Sequence, residues 1–108
     1  RDIASALREA RGQALMTGKN AYFELDLMGR SYSFTGSKRK YAVPKGIEMT
    51  LYTSSDQVVH ESMGRIKFFP DGSSTGGRIG LFIDGSGTRI DINWITGDVV
   101  TSHFDKPY

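Results

Sequence analysis

The sequence contains no cysteine, which excludes disulfide frameworks and thiolate-bound metals but leaves the redox compartment undetermined. It also lacks any uninterrupted apolar run near the 18 or so residues of a membrane span, and no signal-peptide pattern is present. Charge of one sign is scarce: 14 Lys and Arg against 12 Asp and Glu leave +2 and a pI near 9.0. That bias is too small by itself to imply a nucleic-acid partner. Helical periodicity occurs once, before residue 20. With no second helix to cross over, parallel βαβ units are excluded. What is present is an ordinary apolar supply, 38% of 108 residues with 13 glycines. This is enough for a core without staples, and residues 1–108 read as one domain.

In residues 1–18, Ile3, Leu7, Ala10 and Ala14 fall at helical spacing. Ala6 and Leu15 widen this stripe, while Arg1, Arg8, Glu9 and Arg11 point elsewhere. Gly18 is placed to close the helix in a left-handed cap. No capping box is visible, because Ser5 with Arg8 is not the Ser-x-x-Glu pattern. The helix therefore reads as already under way at Arg1 and is expected to have continued upstream. Small residues in the stripe let the helix lie close to its packing surface. That surface is the domain's own sheet or, for part of the stripe, a neighbouring subunit, so Ile3, Leu7, Ala10 and Ala14 are the candidate subunit-packing residues.

From residue 20 the period changes from 3.6 to 2. Phe23, Leu25 and Leu27 alternate with acids, Met28-Gly29-Arg30 turns the chain, and Tyr32 and Phe34 return, so 21–35 reads as a hairpin. Residues 36–46 form a loop carrying Pro44. Ile47, Met49 and Leu51 mark a third strand, and Val58-Val59 a short one. Ile66 with Phe68, then Ile79-Leu81-Ile83, then Ile90-Ile92-Trp94, and finally 99–103 read as further strands, with 104–108 as a tail. One helix followed by seven or eight short strands predicts an α+β fold in which an N-terminal amphipathic helix packs on antiparallel sheets.

The least ordinary stretch is "FFPDGSSTGGRI", Phe68 to Ile79. As a phosphate loop it has the Gly72-to-Gly77 spacing, but Arg78 and Ile79 stand where Lys and Ser/Thr are needed, and a strand follows instead of a helix. As a nucleophile elbow it offers Ser74 between Gly72 and Gly76, with His60 or His103 as nominal base, again without the helix. The acids Asp71, Asp84, Asp91 and Asp98 are scattered and lack the alternation of a calcium loop. The reading that physics supports directly is a turn. Pro70 ends strand pairing and presets φ, Asp71 and Gly72 follow, Gly76 and Gly77 can take positive φ, and the hydroxyls can bond nearby backbone. No catalytic residue, cofactor or metal is expected, and a contact role for the loop stays open beside the turn.

The same residues carry a family likeness. "IKFFPDGSSTGGRIGLFIDG" and "IDINWITGDV" resemble the C-terminal half of the type II secretion minor pseudopilins of the H kind, the GspH/FimT family. "ALREARGQALMTGKNAYFEL" is similar to that family's helix running into its first strand. The likeness spans nearly the whole chain and is strongest over Phe68–Ile79 and Asp91–Val99. It implies a pilin-like β-sandwich head on the C-terminal half of a longer helix. The absent front half would anchor the subunit in the inner membrane after a prepilin peptidase cuts and methylates it. It further implies a periplasmic head in a Gram-negative bacterium, partnered near the pseudopilus tip by other minor pseudopilins and the major one. Its role would be to help drive folded exoproteins across the outer membrane, without enzymatic activity. The alternative is a minor pilin of a type IV pilus, with Lys38, Arg39 and Lys40 contacting DNA beside Tyr41 as a stacking ring.

Overall fold

The computed structural model describes residues 2–105. The chain opens on helix α1, Ile3–Thr17, followed by strands β1 (Ala21–Asp26), β2 (Ser31–Phe34), β3 (Tyr41–Ala42) and β4 (Glu48–Tyr52). A 3-10 turn over Ser55–Gln57 leads into β5 (Val58–His60) and β6 (Met63–Phe68). The last three strands are β7 (Gly77–Ile83), β8 (Ser86–Ile92) and β9 (Val99–Asp105). They form two antiparallel sheets, a first in the order β3-β2-β1-β6-β5 and a second in the order β4-β7-β8-β9.

The helix starts differently from the sequence reading. Asp2, in extended conformation, is its N-cap, and its Oδ1 accepts a 2.7 Å bond from the Ser5 N–H. Ser5 is thus the third helical position and not a cap, and the cap lies three residues earlier at Asp2. The expectation that Arg1 is helical lies outside the described residues. At the other end Gly18 takes φ 70° and returns its N–H to Ala14 O at 3.0 Å, the left-handed closure its position predicted.

Strand burial follows the pleat. On β1 the pattern alternates strictly, so Ala21, Phe23 and Leu25 face inward while Tyr22, Glu24 and Asp26 do not. Phe23 stands opposite Phe34 on one side and Ile66 on the other. From the second sheet Ile79, Ile90, Ile92 and Val99 join the same cluster. The helix supplies Ile3, Ala6, Leu7, Ala10 and Ala14. Phe23, Phe68, Leu7, Leu25, Ile66 and Ile79 are fully buried, and each contributes about 1.5–3 kcal/mol of apolar transfer. The alanines bring the helix backbone close to β1 and β2, and the start of β9 also contacts it.

Three sequence expectations are corrected. Trp94 is not on the return strand: β8 ends at Ile92, and the Asn93 side chain accepts the Ile95 and Thr96 N–H groups at 2.8 and 3.2 Å, which turns the chain. Trp94 is left 66% exposed. Leu15 does not widen the buried stripe and is 47% exposed. Phe104 and Asp105 belong to β9 and not to a tail, and 106–108 lie outside the described residues. The two-residue strand β3 was missed inside a loop that composition alone made polar.

Candidate functional site

The Phe68–Gly77 connection is where helix and sheets meet. Gly72 N–H bonds Phe69 O at 2.8 Å, closing a turn with Pro70 and Asp71 in its two central places. Asp71 Oδ1 accepts from both the Ser73 N–H (2.9 Å) and the Ser73 hydroxyl (2.6 Å). These bonds, the hydroxyl one foremost, hold the Asp71 carboxyl below its ordinary range. Thr75 grips β6 twice, its N–H on Lys67 O (2.9 Å) and its Oγ1 accepting from the Lys67 N–H (3.1 Å). Ser74 reaches the β8–β9 connection, its N–H on Trp94 O (2.9 Å) and its hydroxyl on Asn93 O (3.1 Å).

This wiring decides among the three readings of the loop. The N–H groups of Phe69, Gly72, Ser73, Ser74, Thr75 and Gly76 all have acceptors inside the protein. A phosphate cradle must hold such donors free for the ligand. Ser74 is buried and its hydroxyl is committed to Asn93 O while accepting from Gly76 N–H. His60 and His103 bond Ser62 and Thr88 instead, each at 3.3 Å or less. The stretch is a stitched turn. Gly72 and Gly76 take φ 91° and 75°. A Cβ on Gly77 would come 2.7 Å from Tyr52 O.

Helix α1 is fastened to this turn by a side chain the sequence reading had merely pointed outward. Arg11 Nε donates to Gly72 O (3.0 Å) and Thr96 O (3.1 Å), joining the helix to the loop and to the 93–98 turn. One turn earlier Arg8 donates to Val99 O at 2.9 Å. Gly97 sits under Arg11: a Cβ there would overlap Gly72 O and approach Arg11 Nε to 2.8 Å. Two arginines three residues apart on a helix flank were visible in the sequence. Their acceptors, backbone carbonyls 61 to 91 residues away, carried no signature.

The predicted packing residues Ile3, Leu7, Ala10 and Ala14 are all buried in the chain's own core. Within this fold they present almost no surface to solvent. Leu15 and Trp94 flank the stitched turn, near Gly72 and Gly76 respectively, and Ile95 beside Trp94 is also exposed. Lys38, Arg39 and Lys40 are exposed at the β2–β3 loop tip. The Tyr41 ring beside them is stacked on Tyr32 (5.4 Å) and Phe34 (6.0 Å), with the Arg39 guanidinium 5.9 Å from its centre. A ring so engaged is poorly placed to take a base. Among the described residues no group of three or more His, Asp or Glu is placed to hold a metal ion. A groove of about 500 Å3 has Ile47, Leu81, Ile83 and Phe104 in its lining. Its polar pairs, Thr88 with His103 and Ser86 with Asp105, are separate and make no nucleophile-base-carboxylate chain.

A helix laid on two antiparallel sheets in this way is the fold of pilin-type heads. The minor pseudopilin EpsH of the Vibrio cholerae Type 2 Secretion System superposes with a TM-score of 0.67 at 10% identity, covering 97% of this chain and 92% of that one. The type IV minor pilin FimU of Pseudomonas aeruginosa superposes with a TM-score of 0.68 at 14% identity, covering 97% and 94%. At these identities the likeness is one of fold. The sequence goes further: residues 1–97 match the family described as Type II transport protein GspH. The Type II secretion system protein H of Xanthomonas campestris pv. campestris is 40% identical over 106 residues, 97% of this chain. The chain belongs to the GspH family, and it spans 62% of the length of that curated relative.

Proposed function

We propose that this chain is the head of a minor pseudopilin of the type II secretion system, one domain whose role is to be assembled and not to transform a ligand. The observation that carries the reading is the 40% identity across 97% of the chain to a type II secretion system protein H. The helix pinned by Arg8 and Arg11 supports it, since a subunit held through its helix needs that helix fixed to its head. In this reading the protein reaches the inner membrane through a segment N-terminal to the helix. Among the described residues no helix is long and apolar enough to cross a membrane. The head lies in the periplasm, near the pseudopilus tip, in contact with other minor pseudopilins and the major one, and the filament helps drive folded exoproteins outward. Leu15, Trp94 and Ile95 are the exposed apolar groups beside the pinned helix and the first candidates for contact.

The test is a pull-down of the 108-residue chain against the purified heads of the other pseudopilins from the same organism. Capture of at least one is expected, and Trp94→Ala should weaken it. Failure with every head would overturn the assignment. Deleting the gene should also abolish exoprotein secretion, with recovery on complementation.

A further inference from the structure

The two sheets present four edges, and the two of the first sheet are blunted. In the first sheet β3 has two residues, and β5 has three with a register shift between Val58 and His60. In the second sheet β4 is followed at once by Thr53, whose hydroxyl ties it to Arg65 O of the first sheet at 2.7 Å. The fourth edge, β9, runs seven residues, Val99–Asp105, outermost beside β8. It carries no proline, lysine or bulge, and of its outward groups the Val99 carbonyl is capped by Arg8 of the helix at 2.9 Å.

The hydrogen-bond phase of β9 follows from one bond. Asn93 N–H donates to Asp98 O at 2.9 Å, and this pair continues the β8–β9 register in which Ile92 faces Val99. Bonded and non-bonded pairs alternate along an antiparallel ladder. Val100, Ser102 and Phe104 therefore turn their backbone groups to β8, while Val99, Thr101, His103 and Asp105 turn theirs outward. Two contacts agree. Arg8 finds the outward Val99 carbonyl, and the close side-chain pair Thr88–His103, at 3.0 Å, sits at a non-bonded position.

We infer that β9 is a pairing edge for the β9 of a second copy of this chain, antiparallel, with the two-fold axis at Ser102. The strand is self-complementary in that register. Thr101 faces His103 of the second copy and His103 faces its Thr101, which supplies four backbone hydrogen bonds from outward groups. On the outer face Val100 is 56% exposed and comes opposite the other copy's Phe104, whose ring lies against Gly87 and edge-on to Phe82 at 5.7 Å. This is the β-branched–aromatic pairing that antiparallel strands favour. Asp105, the strand's only charged residue, falls opposite Val99, where Arg8 sits. Carboxylate and guanidinium are thereby brought together twice, with no like charges opposed.

The pairing is read from the head alone and stands or falls apart from the secretion assignment. The test uses the absence of native cysteine. Ser102 pairs with itself at a non-bonded position, where Cα atoms lie about 4.5 Å apart, within the span of a disulfide. Under mild oxidation S102C should form a covalent dimer about tenfold faster than K38C, a thiol on an exposed loop, because pairing raises the local thiol concentration. Adding Val100→Lys, which leaves the β8 ladder intact, should remove most of that advantage. Equal rates for S102C and K38C, or no effect of V100K, would overturn the proposal. On the unaltered chain, amide exchange at Thr101 and His103 should slow as protein concentration rises, while Ser102 and Phe104 stay protected throughout. Concentration-independent exchange at Thr101 and His103 overturns it equally.

Discussion

Gly97→Ala is the substitution whose consequence the structure defines most sharply. Gly97 has φ 75°, its N–H bonds Asn93 O at 2.7 Å, and the space its side chain would enter is held by Gly72 O and Arg11. Two costs add. An alanine in the left-handed region loses about 1–2 kcal/mol by backbone sterics alone. The methyl must also displace either the Gly72 carbonyl or the Arg11 guanidinium, and each Arg11 bond lost, being charge-assisted, is worth about 1.5–3 kcal/mol. A total of roughly 3–5 kcal/mol follows, the size reserved for substitutions with an identifiable steric or network cause.

Gly85 is the internal control. It also has positive φ, 82°, but nothing lies within 4 Å of the Cβ it would acquire. Gly85→Ala should therefore show the conformational cost alone, on the order of 1 kcal/mol. In thermal melts followed by circular dichroism, 1 kcal/mol moves the midpoint about 4–8 °C in a domain near this size. Gly97→Ala should fall roughly 12–40 °C and Gly85→Ala by about a third of that or less. In an Arg11→Ala background the cost of Gly97→Ala should shrink, since the bonds it breaks are already gone. Equal midpoints for the two alanine variants would refute the idea that helix, loop and 93–98 turn are locked at one point.

Gly77→Val forces a side chain against Tyr52 O, 2.7 Å from its Cβ, and should destabilise by roughly 1–3 kcal/mol in urea melts. An unchanged midpoint would show that the connection relaxes freely. Phe23→Ala empties a fully buried site between Phe34 and Ile66 and should cost about 3–5 kcal/mol without altering the dependence on denaturant. The carboxyls of Asp2 and Asp71 lie below their usual 3.8, held mainly by bonds from the Ser5 N–H and the Ser73 hydroxyl. A lowered folded value means stability that is present above about pH 4 and lost as pH falls through the folded value. The melting midpoint should therefore hold from pH 7 to 5 and drop below 4, and Asp2→Asn with Asp71→Asn should shallow that acid limb. An acid limb unchanged in the double variant would refute the assignment to these two carboxyls.

Much of the fold was written in periodicity. The switch from Ile3, Leu7, Ala10, Ala14 to Phe23, Leu25 located helix and first strand, because burial on one face leaves a period that composition cannot hide. The stitched turn was legible as a turn from Pro70, Asp71 and Gly72, whose roles are local. What could not be read was one local competition and several long-range contacts. Trp94 continued the alternation of Ile90 and Ile92, and only the Asn93 side chain, competing for the next N–H groups, turned it out of the strand. Arg8 and Arg11 could be placed only off the apolar stripe, because their acceptors are carbonyls, which every residue has. The stripe Ile3–Ala14 was correctly apolar but silent on its occupant, which the structure identifies as the chain's own sheets.

Those two arginines also explain how a small domain can act through one helix. The apolar stripe of α1 contains three alanines and only two larger side chains, Ile3 and Leu7, so dispersion contacts alone hold it modestly. Sliding the helix along its axis past such small residues meets little steric resistance. Charge-assisted bonds at Gly72 O, Thr96 O and Val99 O resist that motion, since they join the helix to both sheets' connections at separate points along its length. On the function proposed above, a pull delivered through the helix would reach the β6–β7 and β8–β9 connections together. That gives a physical reason for the turn-rich stretch to sit beside the helix and not at the far end of the sheets.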